Sequence, residues 1–277
     1  MLQRVASSTD LIYATNGCGG TCVVSYPQGE LVQTLDIGQN GACADSAGDV
    51  YIAGSGTELY EFAHAGSTPT KTFSISSGAI NGCSVDAHTG NVAVTGGAAN
   101  STVAIFPGTG GSPTTYPVPL NTQYAGFDSD GNLFVDGYDY HFQFALYELP
   151  RGGSQFAQIT INPNIEMGPG QVQWDGSLVT VLGIGPQPGK VKLLRLNISG
   201  STATVAGVTK FSGVWRALQS WIQGKTILLP YGRHGSEFHN EIGIWKYPKG
   251  GKVVQTIKHF GLPRDFQAVT FSPGSKP

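Results

Sequence analysis

Two stretches of the chain concentrate the residue types that bind or react. One is Gly137-Tyr138-Asp139-Tyr140-His141-Phe142. The other is Tyr231-Gly232-Arg233-His234-Gly235-Ser236-Glu237-Phe238-His239-Asn240. His141, His234, His239 and Glu237 supply imidazoles and a carboxylate, the groups that ligate a metal or move a proton near neutral pH. Tyr138, Tyr140, Phe142, Phe238 and Trp215 offer flat apolar faces, a platform for a glycan, a peptide or a hydrophobic ligand. The alternative for both sets is structural: solvated hairpin loops and rings packed against neighbouring elements. A third set recurs along the chain. Asn40, Asn81 and Gln123 each stand five residues ahead of an aspartate, at Asp45, Asp86 and Asp128. Amides so placed either cap backbone groups or hold a ligand or ion. Glu166, Arg216 and Asp265 precede later strand-like segments in the same way.

Other chemistries find no support. Asp128-Ser129-Asp130-Gly131-Asn132 opens like a calcium loop but lacks the downstream bidentate glutamate, so it reads as a hairpin turn. His88 falls in a similar turn, on the face opposite the long loops, and is given no role. There is no G-x-S-x-G elbow, no H-E-x-x-H and no paired C-x-x-C. Gly183-Ile184-Gly185-Pro186-Gln187-Pro188-Gly189-Lys190 has the wrong glycine spacing for a P-loop, and Val191 stands where Ser or Thr is needed. With 16 basic and 18 acidic residues the net charge is −2, which is no footprint for nucleic acid or an anionic membrane. No apolar run spans a bilayer, so membrane insertion is not expected.

Four cysteines are present. Cys18-Gly-Gly-Thr-Cys22 lacks a second ligand pair for zinc, and its glycines let the chain bend into a small disulfide at a hairpin tip. Cys43 and Cys83 sit among small residues in strand-like segments and read as buried free thiols. The bridge, the low charge and the abundance of small polar residues favour an extracytoplasmic or secreted protein. The first ten residues hold no apolar signal core, so export would rest on a leader already removed. Asn100-Ser101-Thr102 and Asn197-Ile198-Ser199 fit the glycosylation pattern, which has meaning only in a eukaryotic secretory pathway.

The elements that must position these groups are short strands. Forty glycines in 277 residues, with strand formers between them, point to many tight turns. Period-2 alternation is frequent and helical periodicity is absent. One unit repeats: a small-residue strand, a Gly turn and an alternating strand, then an aromatic-bearing strand, a Pro/Gly turn and a Thr/Val-rich strand. The first strands end near Asp45, Asp86, Asp128, Trp174 and Ser220, about 40 to 46 residues apart, the period of a four-stranded propeller blade. The fifth copy places its first strand at Ala217-Leu218-Gln219-Ser220. One strand, Gln267–Phe271, remains at the end, and three precede the first unit. One plus three makes a sixth blade and closes the ring across both termini. The expectation is an all-β, single-domain, six-bladed β-propeller over residues 1–277 with roughly 24 strands.

Ser25-Tyr26-Pro27-Gln28-Gly29, Glu148-Leu149-Pro150-Arg151-Gly152-Gly153 and Lys246-Tyr247-Pro248-Lys249-Gly250-Gly251 recur in register, as do Gly48-Asp49-Val50-Tyr51-Ile52 and Gly131-Asn132-Leu133-Phe134-Val135. These segments resemble the six-bladed propellers of the NHL-repeat and SMP-30/gluconolactonase-like superfamily. The resemblance implies a divalent metal in the central channel, held by carboxylate and amide side chains. That set does not match here residue for residue, so no catalytic residue is carried over. Two functions follow as expectations. The first is a binding propeller rather than an enzyme, taking a small molecule, glycan or peptide at the long-loop face and acting as a monomer. The second is a metal-dependent lactonase-like hydrolase with calcium or zinc at the channel mouth, where the metal would polarise a carbonyl and activate water.

Overall fold

The computed structural model describes residues 8–76, 78–97, 102–185, 189–232, 241–258 and 266–275. Among them the elements are strands joined by turns, with no helix. The chain opens with β1 (Leu11–Ala14), β2 (Thr21–Ser25) and β3 (Leu31–Leu35). Next come two antiparallel meanders: β4 (Ala42–Ala44), β5 (Val50–Ala53), β6 (Glu58–Phe62) and β7 (Lys71–Ser74), then β8 (Ala79–Val85), β9 (Val92–Gly97), β10 (Thr102–Phe106) and β11 (Thr114–Pro117). The following meanders are β12 (Asn121–Phe127), β13 (Leu133–Tyr138), β14 (Phe144–Leu149) and β15 (Ala157–Asn162), and β16 (Val172–Trp174), β17 (Val179–Ile184), β18 (Val191–Ser199) and β19 (Thr202–Lys210). The last is β20 (Trp221–Gln223), β21 (Thr226–Tyr231), β22 (Glu241–Lys246) and β23 (Gln255–Ile257). Finally β24 (Val269–Ser272) pairs with β1, Leu11 opposite Ser272 and Ala14 opposite Val269, so the two ends of the chain share one sheet.

The first strand of each meander faces a common centre. β4 lies against β8, β8 against β12, β12 against β16, and β24 against both β20 and β4. Strands near the centre are covered on both faces, and β1, β2 and β5 are buried along their whole length. Outer strands show alternating exposure, as in β15 and β19. The repeated aspartates set the innermost hairpins. Asp45 Oδ1 accepts the N–H groups of Ala47 and Asp49, and Asp128 Oδ1 those of Asp130 and Asn132, all at 2.9 Å. Side-chain acceptance of backbone donors is the ordinary reason for Asp in a turn, and Gly48 and Gly131 supply the positive φ that each turn needs.

Three expectations need correction. Cys43 and Cys83 are not free thiols: they are joined in a disulfide, as are Cys18 and Cys22. Cys43 lies in β4 and Cys83 in β8, two first strands that run side by side, with Cα atoms 5.7 Å apart. The first strand of the fifth copy is Trp221–Gln223, a few residues beyond the expected segment, because Leu218–Ser220 turns into the centre of the molecule. The sheets among the described residues also number four of four strands and one of eight. The long β18–β19 hairpin reaches sideways, and its Thr202, Ala203 and Thr204 pair in parallel with Thr160, Ile161 and Asn162 of β15.

Candidate functional site

Neutral side chains meet at the centre. A cavity of about 140 Å³ is lined by Asn40, Asn81, Gln123, Gln219 and Gln267 with the buried Tyr124. Backbone carbonyls engage several of these amides. Asn81 Nδ2 donates to Thr122 O at 3.1 Å, and Gln219 Nε2 donates to Ala42 O at 2.9 Å. The Gln219 bond joins the segment before β20 to β4, which are not neighbours in the ring, so this side chain crosses the centre. Trp221, two residues on, packs against three of the apolar clusters. Gln219 Oε1, Ser220 Oγ and Trp221 Nε1 are buried without a protein partner.

A second arrangement lies at the β13–β14 turn. Asp139 Oδ1 accepts the N–H groups of His141 at 2.8 Å and Gln143 at 2.9 Å. Asp139 N–H donates to Gln143 O at 2.8 Å, and Phe142 N–H to Asp139 O at 3.0 Å. These backbone donors, Gln143 foremost, hold the Asp139 carboxyl below its ordinary range, so it is anionic at neutral pH. The closed turn presents Tyr140 and Phe142, each 81% exposed. Tyr138 and Phe142 form a wall shared by two clefts. One, about 550 Å³, runs past Pro117–Asn121, Asp139 and Tyr140. The other, about 630 Å³, is bounded by Gln143, Asn164, Glu166, Met167 and Gly168. Both volumes fall within the usual range of small-ligand clefts, roughly 300–1,000 Å³.

Beneath the wall is Asp136, fully buried. Its Oδ1 accepts the Tyr124 N–H at 3.0 Å and its Oδ2 the Gly170 N–H at 2.9 Å. Burial pushes this carboxyl well above its ordinary range, against the pull of the two N–H bonds. Burial, then the Asp136 charge, raises the Tyr138 phenol, and the Arg216 cation partly offsets this. Arg216 is itself exposed, in the segment ahead of β20, where its C=O accepts the Gly232 N–H at 3.2 Å and the Trp215 N–H donates to Gly232 O at 2.8 Å.

The expected residues thus divide. Asn40, Asn81 and Gln123 meet at the centre. Tyr138, Asp139 and Glu166 line the two clefts, with Tyr138 common to both. His141 lies on the exposed turn between Tyr140 and Phe142. Arg216 acts electrostatically on Tyr138, and the Trp215 ring lies over Gly189. Arg233, His234, Glu237, Phe238, His239 and Asp265 lie outside the described residues. Among the described residues no three His, Cys, Asp or Glu side chains gather into a metal-holding group. The central donors there are uncharged amides and do not fit the carboxylate-bearing set that the resemblance implies. Sequence reasoning missed Asp136, Gln219 and Trp221. A buried Asp in the apolar run Leu133-Phe134-Val135-Asp136 was the available signal for the first.

No family model and no curated protein matches the chain. Solved structures do. A chain from the crystal structure of a nidogen/laminin complex aligns with a TM-score of 0.72 at 14% identity, over 97% of this chain and 100% of that one. A protein of unknown function from Bacteroides caccae aligns with a TM-score of 0.71 at 13% identity, over 96% and 99%. The β-propeller domain of Myceliophteria thermophila Cps50 (Swd1) aligns with a TM-score of 0.62 at 9% identity, over 94% and 87%. At these identities the likeness is one of fold: the chain is a β-propeller.

Proposed function

We propose that this propeller is a recognition module whose site is the pair of clefts on either side of Tyr138 and Phe142. The carrying observation is the contrast between two places on the molecule. The clefts are open and lined by rings with a few polar groups, as ligand sites are. The centre is lined by neutral amides and crossed by Gln219. In this reading the eight-stranded sheet counts as two blades joined at their outer strands, which makes six blades in all, of the NHL and SMP-30-like kind. The two disulfides support an oxidising, extracytoplasmic setting. The likeness to a chain in a nidogen/laminin complex fits a binding role at the level of fold. Soaking crystals with a diverse fragment library tests the reading. Fragments should collect in the two clefts. Fragments confined to the centre, or a stoichiometric divalent ion there by elemental analysis, would overturn it in favour of the lactonase-like hydrolase.

A further inference from the structure

We infer that the ligand of these clefts is a neutral polysaccharide chain, straddling the Phe142 ridge with sugar rings on both sides. The inference rests on the recognition reading above and names its ligand class.

Three observations carry it. The first is the display of the rings. Tyr140 and Phe142 project outward rather than lining an enclosed cage, and both keep 81% of their surface exposed. Phe142 also holds φ at +57°, a left-handed conformation unfavourable for a bulky residue. Glycine would adopt it freely. An aromatic ring retained in water at a strained position points to a use for that ring. Flat exposed rings suit the flat C–H faces of pyranoses, an apolar contact made without a deep pocket.

The second observation is the polar lining. Asn121 and Asp139 border one cleft, and Gln143, Asn164 and Glu166 the other. These are planar groups with paired oxygens or an oxygen beside an amide NH₂, able to bridge neighbouring hydroxyls. No Lys or Arg lines either cleft among the described residues, which disfavours phosphorylated, sulfated and uronic ligands. The Arg216 cation is felt at Tyr138 but lines neither cleft.

The third concerns the backbone. β13 is paired to β12 and β14, and β14 to β13 and β15. The two strands that carry the aromatic turn therefore have no open edge to which a peptide could add as a strand. The anionic Asp139 likewise opposes burial of an acyl chain.

The test uses the whole chain and defined probes: cellohexaose, xylohexaose, mannohexaose and laminarihexaose, titrated calorimetrically to about 1 mM, where binding is still measurable. At least one should bind saturably. Tyr140→Ala and Phe142→Ala should each weaken that binding roughly three- to tenfold, the worth of one aromatic contact. Phe142→Gly should weaken it as much while leaving the Tm equal or higher, a split that a structural role for the ring would not produce. Binding of none of the four sugars overturns the inference. So does binding undiminished in the Tyr140→Ala/Phe142→Ala double variant, or Phe142-dependent selection of peptides from a display library without sugar binding. Fragments still collecting in the clefts after such a result would sink the sugar assignment alone; fragments absent from the clefts would sink the recognition reading with it.

Discussion

Two backbone N–H groups converge on the Asp136 carboxyl, one from Tyr124 of β12 and one from Gly170, just ahead of β16. Both carboxyl oxygens act as acceptors there. Thr15 and Thr95 stand at related places. Thr15 Oγ1 donates to Asn40 O at 2.6 Å, and Thr95 Oγ1 lies 2.8 Å from Gln123 O and 3.2 Å from Gly82 O. Hydroxyls serve where a carbonyl must be met, and a carboxyl where two N–H groups must be. Asp136→Asn conserves shape but turns an NH₂ group toward one of those N–H donors. It should cost about 1–3 kcal/mol, the penalty of an unsatisfied buried group, read from urea unfolding. An unchanged midpoint would show that the two bonds contribute nothing.

Neighbouring first strands are fastened at one repeated position, two residues before the hairpin aspartate. Cys43 forms the disulfide to Cys83. Ser84 Oγ accepts the Phe127 N–H at 3.0 Å. Gln173 exchanges two bonds with Ile222, Oε1 accepting its N–H at 2.8 Å and Nε2 donating to its C=O at 3.2 Å. Gly126 fills the same place by close approach: a Cβ there would lie 2.6 Å from Val172 O. Gly126→Ala should therefore destabilise by about 1–3 kcal/mol through forced separation of β12 and β16. Gly82→Ala, whose Cβ would meet Gln123 O at 3.1 Å, should lose less. Equal losses in thermal unfolding would refute the close-packing account. The repeat period was legible because Asp and Gly must recur wherever this turn recurs. The same period held the answer for Cys43 and Cys83: a separation of 40 puts two residues side by side on consecutive first strands. The β20 segment was misplaced because Leu218 and Gln219 carry strand-like side chains, while their path is set by contacts across the centre that no local pattern encodes. The clefts were half legible. Tyr138 and Asp139 stand out in the sequence, whereas Pro117–Leu120 and Asn164 join them only through folding.

At the scale of the whole molecule, the ring is latched by the pairing of β24 with β1. Ser272 Oγ donates to Gly48 O at 2.5 Å and lies 2.6 Å from His64 Nδ1, tying the C-terminal strand to the adjoining sheet. Burial lowers the His64 pKa, and neighbouring Asp10 and Asp49 only partly oppose this. A histidine depressed in the folded state takes up its proton more readily when unfolded, near 6.5. The unfolded chain then binds more protons, so stability is full above that pH and falls as pH drops below it. The Tm should decline from pH 7.5 to 5.5, and His64→Gln should flatten the decline. A slope unchanged by the substitution would place the acid sensitivity elsewhere.

The parallel pairing of β15 with β19 has a consequence for self-association. Outer strands of a propeller are where unpaired backbone invites a second chain. Along this stretch the two outer strands satisfy each other through Thr160–Asn162 and Thr202–Thr204. The sector carrying the aromatic turn is thus guarded against strand-to-strand aggregation where the exposed Tyr140 and Phe142 would otherwise make it most prone. Among the described residues the outer strands β3, β7, β11 and β23 end their sheets without such a partner. Backbone pairing with a second chain is therefore expected along those four strands rather than along the paired stretch of β15 and β19.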